Sequence, residues 1–178
     1  MRPHETHIRT RTSKRWQVAT QTETCCTNKG GKYLTFVLAE ETYGLEILKV
    51  REIIGMMAIT AVPRTPDFVK GVINLRGKVI PVVDLRLKFG LPEQAHTEET
   101  CIIVVDVCGV EMSILVDRVS EVLSIASEEI EDTPSFGVNV DTEFIRGMGK
   151  ASGKVTILLD ISRVLARDAA AADSIRPV

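Results

Sequence analysis

The stretch GVINLRGKVIPVVDL, from Gly71 to Leu85, sets two apolar runs on either side of a short polar break. Short apolar runs bounded by glycine and polar residues read as strands, here joined across Arg76-Gly77. Gly77 permits the backbone reversal. Arg76 then projects from a turn held by two strands that must be buried. Pro81 lies inside the second run and has no N–H to give, which predicts an edge or bulge there. Asp84 is placed to cap a short helix, Gly90 to stop it, and Pro92 to block its continuation.

Upstream, TPDFVKG predicts one helical turn, with Pro66 at its first position and Gly71 as its stop. KYLTFVLAEETYGLEILKV reads as a strand, a turn at Ala39-Glu40-Glu41 and a second strand, and REIIGMMAITAVP continues extended with a bend at Gly55. Downstream, EQAHTEET is a polar linker. Two strands follow across Cys108-Gly109, and Val110, Met112, Ile114 and Val116 alternate as in a half-buried strand. ASEEIEDTPSFGVNVDTEF is loop-rich. The last strand leads into a helix capped by Asp160, with Ile161, Val164 and Leu165 on its apolar face. Many short strands between turns argue for β-barrels or a sandwich, and the helix content is too small for alternating βαβ units.

The sequence repeats itself. At an offset of 76, Phe68-Val69-Lys70-Gly71 matches Phe144-Ile145-Arg146-Gly147, Gly77-Lys78-Val79 matches Gly153-Lys154-Val155, and Asp84 matches Asp160. At an offset of 69, Val50-Arg51-Glu52-Ile53 aligns with Val119-Ser120-Glu121-Val122. Two similar five-stranded units are expected, with extra loop in the second. NLRG in the first copy becomes KASG in the second, so the turn glycine is kept while Arg76 has no counterpart.

The chain has 178 residues and a net charge of −2. Residues 1–32 hold seven Lys/Arg against Glu5 and Glu23, or +5; the rest hold 15 against 22 acids, or −7. Residues 1–31 are polar and without periodicity, which predicts a flexible basic tail. No apolar run approaches the roughly 18–20 residues of a membrane helix, and the N-terminus has no secretory apolar core; a cytoplasmic protein is expected. The four cysteines and three histidines have neither zinc nor disulfide spacing, so reduced thiols and no metal are expected. No nucleophile–base set and no phosphate loop is present, which points away from catalysis and cofactors. Aromatic residues make up 4%, and Tyr33, Phe36 and Tyr43 fall on expected core strands, unlike the stacking platforms of nucleic-acid-binding barrels. An interaction module remains.

YGLEILKVREI, FVKGVINLRGKVIPVVDLRLKFG, ILVDRVSEVLSI and TEFIRGMG resemble, in that order, the motifs of the CheW family of bacterial chemotaxis coupling proteins. The resemblance covers about residues 32–166. It implies a mostly β fold of two intertwined SH3-like five-stranded barrels with a C-terminal helix. It also implies a non-enzymatic adaptor that joins the regulatory domain of the histidine kinase CheA to the cytoplasmic tips of chemoreceptors. The implied organisation is a tail at 1–31, a CheW-like domain at 32–168 and a C-terminal tail at 169–178, monomeric when free, without membrane insertion.

Val50 and Glu52 in VREI, and Gly71, Asn74 and Arg76 in KGVINLRG, match the family's contact region on the first barrel. Val116, Val119 and Val122 match a second-barrel strand facing the receptor groove, and Gly147 matches a turn glycine. Simpler readings compete: Gly71 and Gly147 as backbone requirements, Val116 and Val122 as core, Glu52 as a solvated charge. Nothing resembles the receiver domain of the CheV fusion or the kinase modules of CheA. The alternatives are an adaptor of another chemosensory pathway and a basic-armed nucleic-acid-binding barrel.

Overall fold

The computed structural model describes residues 29–134 and 142–173. Strands β1 (Gly31–Leu38) and β2 (Glu41–Glu46) form a hairpin, and a short 3-10 turn leads to β3 (Val50–Gly55). Then come β4 (Val69–Leu75), β5 (Lys78–Asp84) and the one-turn helix α1 (Leu85–Lys88). After the polar linker follow β6 (Cys101–Val107), β7 (Val110–Val116), β8 (Arg118–Ile125) and the two-residue β9 (Ile130–Glu131). The chain continues through β10 (Ile145–Ala151), β11 (Lys154–Leu159) and α2 (Ile161–Asp173).

The repeat is a structural fact. The 76-residue offset carries β4 onto β10 and β5 onto β11, including a register break between Val69 and Gly71 and another between Ile145 and Gly147. The Asp84 N–H bonds the Phe68 carbonyl at 2.7 Å, and the Asp160 N–H bonds that of Phe144 at 2.8 Å. Asp84 Oδ1 caps α1 by accepting from the Arg86 N–H at 2.8 Å, and Asp160 Oδ1 accepts from the Arg163 N–H at 3.2 Å. The turn residues Arg76-Gly77 and Ser152-Gly153 all have positive φ, as a two-residue hairpin loop of matching twist needs.

The sheets cross-pair the repeats. One has the order β3-β6-β7-β5-β4 and the other β8-β1-β2-β11-β10-β9. The first repeat runs from β1 to β5 and the second from β6 to β11. Each repeat gives its opening hairpin to the other's sheet, which produces two intertwined SH3-like barrels. The main core lies between the sheets and includes Leu34, Phe36, Ile103, Ile114, Val83 and, from α2, Leu165. Smaller cores fill the barrels, around Ile73, Ile80 and Leu115 in one and Tyr33, Ile125 and Leu158 in the other. The apolar face of α2 is buried as its sequence predicts.

Three local expectations are corrected. TPDFVKG makes a turn closed by the Val69 N–H to the Pro66 carbonyl at 2.9 Å, not a helical turn. Gly71 does not stop it but lies inside β4. Pro81 lies on an interior strand, neither edge nor bulge. Val72, opposite it, spends both its N–H and its C=O on Thr60 at 2.9 and 2.8 Å. The ring nitrogen of Pro81 therefore faces the other side, where pairing with β7 begins only at Val82. Strand β7 is buried on both faces over Met112–Val116, because it runs between β6 and β5 with a core on each side.

The expectation of a flexible tail over 1–31 falls outside the described residues up to residue 28. Lys29 is tied to the domain through Asp132 at 2.5 Å, and β1 begins at Gly31. At the other end the helix continues to Asp173; residues 174–178 are outside the description. No helix among the described residues is long and apolar enough to cross a membrane.

Candidate functional site

Strands β3 and β4 are the two edges of the first sheet. Arg76, at the tip of the β4–β5 hairpin, reaches across to Glu52 on β3. Its Nη1 donates to Glu52 Oε2 at 2.9 Å and its Nη2 to Oε1 at 2.5 Å. This is the two-pronged arrangement that only a guanidinium can offer a carboxylate. The side chain of Arg76 stays 75% exposed, so the pair is a surface feature. The hydrogen bonds that Arg76 donates to Glu52, then the Glu52 charge, raise the pKa of Arg76 above its ordinary value.

The turn is fixed from within. Asn74 Oδ1 accepts the Gly77 N–H at 2.9 Å, which closes the loop from which Arg76 projects. Lys78, beside it, pairs with Glu111 at 3.0 Å instead. The second barrel has Lys150, Ser152 and Gly153 at the matching positions, so the Arg–Glu clasp belongs to the first barrel alone.

Other candidates fall into two groups. Gly71 and Gly147 are buried at the register breaks of β4 and β10. A β-carbon on Gly71 would stand 2.1 Å from the Thr60 carbonyl oxygen, and one on Gly147 2.8 Å from that of Glu131. Both positions are occupied by backbone packing. Val116 is a core residue of β7. Val50 and Val119 are half-buried against the main core. Val122 is 48% exposed.

Reading the sequence alone missed a set of exposed apolar residues. Ile53 on β3 is exposed at the position that matches Val122, and Val79 and Val155 are exposed at matching positions of β5 and β11. Ile53 lies opposite Ile103, and Val122 opposite Leu34, both members of the main core. Residues directly opposite in an antiparallel pair share a face. Ile53 and Val122 therefore border the seam between the barrels, one from each side. The 69-residue repeat was the signal that links them. Among the described residues there is no group of three or more His, Cys, Asp or Glu able to hold a metal.

The sequence model of the CheW-like domain matches residues 32–169. The chain belongs to this family. It is 42% identical over 139 residues to the chemotaxis protein CheW of Klebsiella aerogenes, which covers 78% of this chain and 84% of the relative. It is 33% identical over 138 residues to the chemotaxis protein CheW of Rhizobium meliloti, covering 78% of this chain and 89% of that one. The solved scaffolding protein TtCheW of Thermoanaerobacter tengcongensis superposes with a TM-score of 0.71 at 38% identity, over 76% of this chain and 92% of its own. The CheW-like match starts one residue into β1 and ends inside α2, so it spans both barrels.

Proposed function

We propose that the protein is a non-enzymatic chemotaxis adaptor that couples the regulatory domain of CheA to the cytoplasmic tips of chemoreceptors, on the inner face of the membrane. Membership of the CheW-like family supports the adaptor role. The observation that carries the site is the Arg76–Glu52 clasp at the open edge of the first barrel. It holds a planar, charged group rigidly at the surface, which lowers the entropy lost on docking. Arg is also the residue type most enriched, with Trp and Tyr, at binding hot spots.

In this reading Asn74 sets the turn, and Arg76 and Glu52 present the polar contact. Val50 and Val119 support their strands from the half-buried side. Ile53 and Val122 offer apolar contacts to a receptor helix lying along the seam. Gly71, Gly147 and Val116 act through the fold that holds these groups in place.

The test is co-sedimentation and titration of the purified chain with a CheA regulatory domain and with a receptor cytoplasmic fragment. Binding to both, and formation of a ternary complex, is expected. Binding to neither would overturn the reading.

A further inference from the structure

A second surface lies away from the Arg76 clasp, where the two repeats meet at their helices. Phe68 and Phe144 precede β4 and β10 at matching positions, and α1 and α2 leave the matching caps Asp84 and Asp160. Helix α1 stops after one turn, whereas α2 continues for 13 residues. The difference leaves a cleft of about 490 Å³ between them. Its floor is aromatic: Phe68, Phe89 and Phe144 are each half-buried, and the rings of Phe89 and Phe144 stack at 5.2 Å.

Its rim is cationic. Lys88 lies 4.1 Å above the Phe68 ring and is taken up by Asp168 at 2.6 Å. Arg163 spends one Nη on the Glu143 carbonyl at 3.0 Å and its Nε pairs with Asp160 at 3.6 Å, yet its side chain remains 65% exposed. Arg167, one turn further along α2, is exposed and has no hydrogen-bond or ion-pair partner among the described residues. Glu143 is the one acid on the rim. With Lys88 paired to Asp168 and Arg163 to Asp160, Arg167 is the rim cation left without an ion-pair partner among the described residues.

An aromatic floor with exposed guanidinium groups at its edge, that of Arg167 without a partner among the described residues, suits an apolar side chain flanked by carboxylates. We propose that this cleft is a docking site for a short acidic segment of a partner protein. The segment inserts one aromatic side chain among Phe68, Phe89 and Phe144 and sets its carboxylates against Arg163 and Arg167. The site is separate from the receptor- and kinase-coupling surface, and its test does not depend on that reading.

Three capped peptides serve as probes against the full chain: Glu-Glu-Phe-Glu-Glu, the same with Ala for Phe, and Lys-Lys-Phe-Lys-Lys. Binding is read by anisotropy and by amide NMR shifts. The acidic Phe peptide should bind saturably, with shifts gathered at 68, 88–89, 143–144 and 163–167. The other two should bind at least about tenfold more weakly. Arg167→Glu, at an exposed position the fold does not use, should weaken the acidic Phe peptide by a similar factor, while Lys32→Glu on β1 should leave it unchanged. Equal binding of the Ala or the basic peptide, shifts elsewhere, or indifference to Arg167→Glu would overturn the proposal. So would free 3-phenylpropionate binding as tightly as the peptide, which would make the cleft a small-molecule site.

Discussion

Arg76 and Glu52 lie 24 residues apart in sequence and on opposite edges of the same sheet, and both oxygens of one meet both terminal nitrogens of the other. The pair joins the free edge at β3 to the hairpin tip at β4–β5. Because it is exposed, its worth to stability is small. Its consequence is geometric: the guanidinium plane is fixed while its outer face stays open.

Binding and stability should therefore separate at this site. Arg76→Ala should shift the melting temperature by no more than a few degrees, as surface substitutions do. Affinity for the kinase domain or the receptor fragment should fall about thirtyfold, the scale of a lost hot spot. Arg76→Lys should recover little, since an ammonium cannot fork onto both oxygens. Lys78→Ala should do much less. Wild-type titrations for Arg76→Ala, or a loss of binding that merely follows unfolding, would make Arg76 a turn residue only.

The glycines should rank by the space around them. Gly71 has φ +139, and an added methyl would stand 2.1 Å from the Thr60 carbonyl oxygen. Backbone strain and a clash with backbone combine there, so Gly71→Ala should cost roughly 3 kcal/mol. Gly147→Ala meets a milder contact at 2.8 Å without an unfavourable φ and should cost less. Gly77→Ala has left-handed φ but open space, so only the conformational term of about 1 kcal/mol applies. Urea denaturation of the three variants gives the order, and a Gly71→Ala no worse than Gly77→Ala would refute it.

Acid should act through Asp106. The hydrogen bond from Arg51 at 2.6 Å, then that from the Gly109 N–H at 2.9 Å, holds its carboxyl below the ordinary aspartate value. A depressed folded-state pKa gives stability that is whole above the unfolded value of about 3.9 and is lost as pH falls through the folded value. The advantage of wild type over Arg51→Ala should thus be flat at neutral pH and vanish only in acid. Carboxyl NMR titration checks the cause: the Asp106 midpoint should rise toward the ordinary value in Arg51→Ala.

The helix that ends the second repeat is tied to the helix that ends the first. Lys88 and Asp168 pair at 2.6 Å with side chains only 17% and 13% exposed. Removing one partner of a largely desolvated pair strands the other charge. Asp168→Ala should cost about 2–3 kcal/mol. Hydrogen exchange should quicken first in α2, while the sheets keep their protection. Uniform loss across the molecule would show that α2 is not a separable docking unit.

Much of this was readable in the chain. Gly-Lys-Val and the capping aspartates recur in phase because each serves the same hairpin and the same helix start in both repeats. Local chemistry therefore gave the turns, the caps and the duplication. The exchange of hairpins between sheets was implied by the family resemblance, not by local pattern, since β5–β7 and β11–β2 pairing joins residues far apart in sequence. The same reason hid the partner of Arg76. Its turn was evident in NLRG, but that Glu52 stands within reach depends on how β3 and β4 close the sheet. Alternation set Val116 on the apolar face of β7 with Met112 and Ile114, and only the family resemblance turned it toward a groove; what alternation missed is the burial of Ser113 and Leu115 as well, since a strand between two neighbours with a core on either side has no solvent face.

The exchange of hairpins makes the two repeats interdependent for folding. In a fragment ending at Pro92, β3 has lost β6, β5 has lost β7, and the β1–β2 hairpin has lost β8 and β11. Three strands of one sheet and two of another would remain, each with apolar faces open to water. A repeat of about 60 residues has little core to spare even when intact. In this chain, each core is built from both repeats. Residues 29–92 alone should show no cooperative melt, and residues 93–173 alone should show none either. Mixed in equal amounts they should recover strand circular dichroism and a single transition, because the exchanged hairpins give each fragment the partner it lacks. The midpoint should rise with concentration, as it must for an association. A cooperative transition from either fragment by itself, or a mixture that stays the sum of its parts, would show that the barrels do not depend on the exchange.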